Sequence, residues 1–181
     1  MNKIVAVVGM CGSGKSVAVE EFEKRGYQKV YFGQATMNVL KERNLPINEE
    51  NERKVREELR SSGDKGIYAK IFLPEIERLH KQGNVVIESM YSWSEYKYVK
   101  DKFGDAFSVL AIITNTPLRR ERLLIRDFRP MTFEESKSRD YAEIENIEKG
   151  GTIVIADYNI LNNSSKEDFI KEINTFLDSI E

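Results

Sequence analysis

Eight consecutive residues near the amino terminus have the types and the spacing of a phosphate-binding loop. They run from Gly9 to Ser16 as Gly-Met-Cys-Gly-Ser-Gly-Lys-Ser, which is the pattern glycine, four residues, glycine, lysine, serine or threonine. Glycines let the backbone wrap around an oxyanion, so that successive amides converge on it. Lys15 would then neutralise the β- and γ-phosphates of a nucleotide, and the Ser16 hydroxyl would ligate Mg²⁺. The sequence therefore predicts a triphosphate site, with MgATP as its expected ligand.

The segments on either side of this loop favour a real nucleotide site over a chance glycine-rich turn. The apolar run Ile4–Val8 precedes it and predicts a buried strand, and Val17 to Phe22 predicts a helix. A helix beginning at the loop would place its positive end beneath the phosphates. The predicted nucleotide contacts are Gly9, Met10, Cys11, Gly12, Ser13, Gly14, Lys15, Ser16 and Val17.

The rest of the chain alternates short β-like runs with longer helical stretches. Predicted strands are Lys3–Val8, Gln28–Phe32, Asn84–Glu88, Ser108–Thr114 and Thr152–Ile155, with Asn159–Leu161 as a possible extension of the last. Helix starts are predicted at Thr116, Thr132 and Ser164, and a loop at 61–66 is predicted to divide a helical region. This alternation predicts a three-layer α/β/α fold with a mainly parallel five-stranded sheet.

Length and composition bound the other expectations. The 181 residues fit one domain, 1–181, and the net charge of −2 does not favour nucleic acid or an anionic membrane as a partner. A single cysteine, Cys11, excludes an internal disulfide and fits a reducing cytoplasm. The short apolar run at the start is not a secretory signal. A cytoplasmic monomer or homodimer is expected, without nucleic-acid or membrane partners.

The residues after the third and fourth predicted strands separate the classes of phosphate-loop protein. Regulatory GTPases need Asn-Lys-x-Asp and Asp-x-x-Gly, whereas this chain has Asn115-Thr116-Pro117-Leu118 and Glu88-Ser89-Met90-Tyr91. Ring-forming ATPases usually end the acidic strand with Asp-Glu, whereas Glu88 stands alone. Switch and motor functions are therefore disfavoured.

A cluster of arginines favours a small-molecule kinase. Five of them follow the fourth predicted strand: Arg119, Arg120, Arg122, Arg126 and Arg129. Arg122 and Arg126 are four residues apart, so one helical face would carry both. Phosphoryl transfer needs cations that close over the γ-phosphate and exclude water, which this segment would supply as a lid. The alternative is a solvated basic face.

The chain resembles the nucleoside-monophosphate-kinase branch of phosphate-loop proteins, and most of all kinase-like proteins related to dephospho-coenzyme A kinases. The motifs that carry the resemblance are Val7 to Ser16, Glu58-Leu59-Arg60, Arg120-Glu121-Arg122-Leu123 and Ala156-Asp157-Tyr158. It implies an acceptor-binding helical region at about 34–80 and a lid at about 126–150. It also implies that Arg122 lies near the base or ribose and that Arg126 reaches the transferring phosphate. The loop Asn162-Asn163-Ser164-Ser165, after the last strand, would border the adenine.

The acceptor side departs from this family. Relatives usually carry Asp after the second strand and Arg in Asp-Gly-x-Arg after the third, where this chain has Gln34 and Tyr91. Either the acceptor differs or phosphate transfer is lost. Glu88, at the end of a parallel strand, is predicted to order Mg²⁺ or to accept the proton of an attacking hydroxyl; otherwise it is a solvated strand end. Arg60 would bind an acceptor phosphate or lie exposed in salt bridges.

The function predicted from these residues is ATP-dependent phosphoryl transfer to a nucleotide or nucleotide-like acceptor. The catalytic set is Lys15, Glu88, Arg122 and Arg126, the metal ligands are Ser16 and Glu88, and the acceptor contacts are Gln34, Arg60, Tyr91 and Arg129. Dephospho-coenzyme A kinase is the rival activity, although the amide at Gln34 counts against it. An ATP-binding regulatory protein without phosphotransfer is the alternative from another class.

Overall fold

The structure is a computed structural model that describes residues 2–61 and 63–180. Strands and helices alternate along this part of the chain. The strands are β1 (Ile4–Val8), β2 (Gln28–Tyr31), β3 (Val85–Glu88), β4 (Phe107–Ile113) and β5 (Tyr158–Leu161). The helices are α1 (Lys15–Lys24), α2 (Gln34–Glu42), α3 (Glu49–Arg60), α4 (Ile67–His80), α5 (Trp93–Phe103), α6 (Thr116–Ile125), α7 (Phe133–Glu145), α8 (Lys149–Val154) and α9 (Lys166–Ile180).

The five strands form one parallel sheet in the order β2-β3-β1-β4-β5. Every residue of β1 is buried, as its continuous apolar run predicted for a central strand. Val7 of β1 lies opposite Glu88 of β3, so the two strands end side by side. The phosphate loop therefore leaves the sheet next to Glu88, and the predicted fold class is confirmed.

Helices cover both faces of the sheet because alternate side chains of each strand point to opposite faces. Val5 and Val7 belong to a core that includes Phe22 of α1 and Phe169 of α9. Ala6 and Val8 share the other core with side chains of α4 and α5, among them Phe72 and Val99. The core that contains Phe22 fixes α1, and with it the end of the phosphate loop, against one face of the sheet.

The fifth strand begins later in the chain than predicted. The run Thr152–Ile155 has β-branched residues, yet it belongs to α8 and the turn after it, while β5 is Tyr158–Leu161. Val154 is 88% exposed, which does not fit a strand covered on both faces. The helix is instead held by buried contacts, since Thr152 Oγ1 donates to Tyr91 O and the Lys149 ammonium donates to Glu143. Tertiary contacts here override β propensity.

Two of the three predicted helix starts shift by one residue. Thr132 and Glu135 form the predicted capping box at the start of α7. The residue before α6 is Asn115 rather than Thr116. At α9 the capping serine is Ser165, whose Oγ accepts from the amide of Asp168 at 3.1 Å, rather than Ser164 with Glu167. Shifts of one residue are common at helix ends.

Two groups of helices lie beyond the two-sided core and flank the phosphate loop. After β2, α2 packs on α3; after β4, α6 packs on α7, and α8 packs against α5. These are the segments in which the acceptor region and the lid are predicted. The loop predicted at 61–66 separates α3 from α4, although Ser62 lies outside the described residues. Among the described residues, no helix has the length and apolar character that a membrane crossing requires.

Candidate nucleotide and phosphoryl-transfer site

Three glycines give the phosphate loop its shape. Gly9, Gly12 and Gly14 have φ angles of 142°, 80° and 102°, in the region that side chains disfavour. A Cβ atom on Gly12 would lie 2.7 Å from the carbonyl oxygen of Arg119, and one on Gly14 would collide with the Asn162 amide. The motif glycines are therefore needed both for conformation and for close packing.

Side chains from α6 and from the residues that directly follow β4 and β5 anchor two carbonyls of the loop. Arg119 Nη1 donates to Cys11 O at 2.9 Å, and Ser13 O accepts from Thr114 Oγ1 at 3.0 Å and from Asn162 Nδ2 at 2.8 Å. In a trans peptide the next amide points away from the carbonyl. The amides of Gly12 and Gly14 consequently point away from these anchors, and both glycines line a cavity of about 400 Å³.

The cavity contains most of the predicted nucleotide contacts. Those that line it are Cys11, Gly12, Gly14, Lys15, Ser16 and Val17. Lys15 donates from Nζ to Met10 O at 2.9 Å. Burial, reinforced by the nearby charge of Lys149, lowers the pKa of Lys15 to about 8. This ammonium has no carboxylate within ion-pair distance in the described part of the chain, so phosphate oxygens would supply the counter-charge it lacks.

Ser16 and Glu88 meet beside Lys15. The Ser16 hydroxyl donates to Glu88 Oε1 at 3.1 Å, and both residues line the cavity. The contact follows from the sheet, because β1 and β3 end side by side. A hydroxyl and a carboxylate at this distance are oxygen donors of the kind that Mg²⁺ prefers. The two predicted metal ligands thus fit the ion.

Arg122 and Arg126 line the same cavity from above the loop. Arg122 donates to the Asn162 carbonyl at 3.2 Å and to its side-chain oxygen at 3.3 Å, and burial lowers the pKa of its guanidinium. Arg126 donates to the carbonyl of Arg129. Within residues 2–61 and 63–180, neither guanidinium has a carboxylate partner at ion-pair distance. The structure therefore gathers three cations without acidic partners around the loop.

The predicted acceptor contacts are only partly brought together. Arg60, Tyr91 and Arg129 line the cavity, whereas Gln34 is exposed and donates its amide to Asn38 along α2. Arg60 is buried rather than exposed, and it pairs with Glu95 at 2.8 Å. The alternative of a solvated salt-bridged arginine is thus wrong, while binding of an acceptor by these residues stays a prediction.

Sequence reasoning missed one contact and two residues at the site. Asn162 belongs to the loop predicted to border the adenine, and its side chain contacts the phosphate loop, whereas Asn163 is exposed and accepts from the Asn115 amide at 2.9 Å. The contact follows from the pairing of β5 with β4, which the Asn162 amide continues by donating to Ile113 O, and no local sequence signal indicates it. Arg139, which lines the cavity, and the buried Lys149 were also missed. Their spacing from the motif carries no local signal.

A parallel sheet in this order, with a glycine-rich loop between β1 and α1, defines a P-loop nucleotide-binding protein. Residues 5–149 match the family model described as an AAA domain. The chain is also 35% identical, over 181 residues, to a UPF0200 protein of Thermococcus gammatolerans, with 98% of this chain and 95% of the relative covered. The chain therefore belongs to this P-loop family and to the UPF0200 proteins.

Solved structures of kinases share the fold. A shikimate kinase from Bacteroides thetaiotaomicron superposes with a TM-score of 0.61 at 11% identity, covering 98% of this chain and 99% of that one. A dephospho-CoA kinase from Campylobacter jejuni superposes with a TM-score of 0.55 at 22% identity, covering 99% and 97%. At these identities the likeness concerns the fold alone.

Proposed function

We propose that this protein transfers the γ-phosphate of MgATP to a hydroxyl of a small, nucleotide-like acceptor. The observation that carries the proposal is the grouping of Lys15, Arg122 and Arg126 around one cavity that the Ser16–Glu88 pair also lines. Three cations without acidic partners are costly in a partly buried cavity unless an anion joins them. A triphosphate is the anion that the loop is shaped to bind. The kinase folds among the solved structures agree with this function.

On the nucleotide side, the loop and its cations position the phosphates. The amides of Gly12 and Gly14 would bind the β-phosphate, and Lys15 would bridge it to the γ-phosphate. Ser16 and Glu88 would hold Mg²⁺, which offsets phosphate charge. Arg122 would contact the nucleotide, and Arg126 would approach the γ-phosphate as its charge spreads in the transition state.

On the acceptor side, the cavity extends past Glu88 toward α2 and α3. An acceptor hydroxyl there would attack the γ-phosphorus while the bond to the bridging β,γ-oxygen breaks and leaves ADP. In the alternative to metal binding, Glu88 would take the hydroxyl proton. The single cysteine fits a reducing compartment, and we place this activity in the cytoplasm.

The fate of the γ-phosphate tests this function. The protein is incubated with γ-labelled MgATP and a panel of nucleosides, nucleotides, sugars and dephospho-coenzyme A. We expect label in one class of acceptor, and we expect Lys15→Ala to abolish the transfer because the β,γ-charge is no longer neutralised. Lys41→Ala, on the exposed side of α2, is the control. Label in dephospho-coenzyme A would identify the rival kinase, and binding of ATP without any transfer would favour a regulatory protein.

A further inference from the structure

The cations that line the cavity fall into two groups. Around the phosphate loop, Lys15, Arg122 and Arg126 have no carboxylate partner among the described residues. Toward α3, by contrast, the arginines already pair with glutamates. The two ends of one cavity therefore differ in the charge that they can offer a ligand.

Arg60 is the most buried arginine of the acceptor end. Its Nη2 donates to Glu95 Oε1 at 2.8 Å, and the two side chains are 5% and 0% exposed. The other oxygen of Glu95 accepts from the amides of Tyr91 and Ser92 at 2.6 and 3.0 Å. Glu95 is thus held in place by two amides as well as by Arg60, and Arg60 cannot leave it without removing the ion-pair partner of a buried carboxylate.

Glu52 holds two further arginines in the same way. Arg129 Nη1 donates to Glu52 Oε1 at 2.6 Å, and Arg56 Nη1 donates to Oε2 at 3.3 Å. The second nitrogen of Arg56 pairs with Glu49 at 2.8 Å. The Glu52 side chain is only 4% exposed, so an arginine that left it for a ligand would also leave a buried carboxylate short of charge.

A phosphorylated acceptor would need the guanidinium groups that these arginine–glutamate ion pairs already use. Phosphate is recognised by the paired N–H groups of a guanidinium fork together with net positive charge. At this end the charge is already neutralised. A guanidinium has more N–H groups than its ion pair uses, so donors remain at this end, but they offer a ligand hydrogen bonds without net positive charge.

Neutral hydroxyls complete the lining of the acceptor end. Tyr31, Thr36 and Tyr68 line it, and Tyr68 Oη lies 2.7 Å from Thr36 Oγ1. Burial raises the pKa of both tyrosines, which keeps their hydroxyls protonated. Guanidinium donors whose charge is already neutralised, together with neutral hydroxyls, match the hydroxyl and carbonyl oxygens of an uncharged molecule.

We infer that the acceptor is a neutral, hydroxyl-bearing molecule of the nucleoside or sugar type, and not a phosphorylated one. This inference rests on the proposed function and narrows its acceptor class. It also departs from the nucleotide acceptor that the sequence predicts. Neutralised arginines would position such a molecule by hydrogen bonds, while the unpaired cations attract the triphosphate alone.

Binding of matched pairs tests the inference without requiring transfer. The protein is saturated with Mg²⁺ and a non-hydrolysable ATP analogue, and calorimetry compares nucleosides with their monophosphates and sugars with their sugar phosphates. We expect the neutral member to bind at least about tenfold more tightly, because its partner brings an unmatched dianion. Tighter binding of a phosphorylated member, or no binding by any neutral member, would overturn the inference.

A gain of phosphate binding gives a second test, with inorganic phosphate as the probe. Glu52→Gln removes the counter-charge of Arg56 and Arg129, so it should bind phosphate at least about tenfold more tightly than the wild type. Glu58→Gln is the matched control, since Glu58 lies on the same helix but is exposed and pairs with Arg43. Equal phosphate binding by the wild type and Glu52→Gln would contradict the inference. The pair measurements on the wild type stand even if Glu52→Gln does not fold.

The inference and the proposed function fail in different ways. Loss of ATP binding in Lys15→Ala concerns the phosphate loop, whereas the preference within each pair is measured with that loop already filled. Tight neutral binding without transfer would support the inference and contradict the kinase.

Discussion

Glu88 combines two properties that a carboxylate needs in phosphoryl transfer. It accepts a hydrogen bond from the Ser16 hydroxyl, and it lines the cavity that also contains Lys15. Shortly after β2 the chain has Gln34, an amide that cannot accept a proton at neutral pH. We therefore propose that Glu88 is the carboxylate that binds Mg²⁺ or accepts the hydroxyl proton in the reaction.

Replacing Glu88 by glutamine tests this role at the level of one side chain. Glu88→Gln keeps the size of the group but removes its charge, so transfer with saturating acceptor should fall by about two to four orders of magnitude. ATP affinity should change far less, because the loop amides and Lys15 supply most of it. Rapid-quench measurement of transfer and calorimetric titration of ATP would separate the two effects.

The exposed Glu75→Gln on α4 is the control for Glu88→Gln. Wild-type transfer rates in Glu88→Gln would refute the assignment. A variant that loses Mg²⁺ affinity along with transfer would favour metal binding over proton transfer.

Residues of the site could be predicted where chemistry fixes their spacing. The phosphate loop is such a case, because its eight positions are contiguous and each has a defined contact. The contact of Asn162 could not be predicted in this way, since its side chain binds Ser13 O, 149 positions away in the sequence. Likewise the burial of Arg60 depends on Glu95, its partner 35 residues later. Such pairs follow from the packing of elements, and no local pattern encodes them.

At the scale of elements, α6 and the loop after it bring arginines over the phosphate loop. Arg126 directly follows α6 and has an extended backbone, and Arg129 in the same loop has a φ of 53°. Arg119, in the first turn of the helix, pairs with Asp140 of α7 at 2.9 Å and also binds Cys11 O. The position of α7 is thus tied to the backbone of the phosphate loop.

Arg126→Ala tests whether this segment acts as a lid in the reaction. If Arg126 contacts the γ-phosphate mainly in the transition state, its removal should lower kcat by about a hundredfold or more, with a small change in KM. Single-turnover kinetics would measure the chemical step directly. Arg78→Ala, an exposed arginine on α4, should leave the rate unchanged. An unaffected chemical step in Arg126→Ala would mean that α6 ends in a solvated basic face.

Strands could be predicted from apolar runs where the folded protein buries those runs. Local β propensity alone was not sufficient. The continuous apolar runs of β1 and β4 indicated central strands correctly. The run Thr152–Ile155 has equally β-prone residues, yet it lies in α8 because Lys149 and Thr152 are held by buried partners. At this segment the buried contacts of the helix outweigh the strand propensity of its residues.

At the scale of the whole molecule, a net charge of −2 conceals an uneven distribution. Among the described residues, cations without a carboxylate partner surround the phosphate loop, while paired charges join α7 to α3. Arg139 of α7 pairs with Glu49 of α3 at 2.6 Å and with Glu143 at 3.0 Å. The segment predicted as a lid is therefore docked on α3 by ion pairs that are buried or partly buried, and the stability of this packing should depend on pH.

Glu143 is the carboxylate through which this dependence should be seen. Burial alone would raise its pKa, but Lys149 and Arg139, at 2.7 and 3.0 Å, hold it well below the ordinary 4.5. A depressed carboxylate pKa contributes stability above the unfolded value, and this contribution is lost as pH falls below about 4.5.

Glu143→Gln should therefore cost about 3–5 kcal/mol in the free energy of unfolding at pH 7, since Lys149 is left buried with its partner removed. At pH 3 the cost should be smaller by about 1–2 kcal/mol. Urea denaturation at both pH values measures this, with the exposed Glu134→Gln on the same helix as a control that changes stability by less than about 0.5 kcal/mol. If Glu143→Gln lowers the free energy of unfolding equally at pH 7 and pH 3, the negative charge of Glu143 does not stabilise the packing of α7.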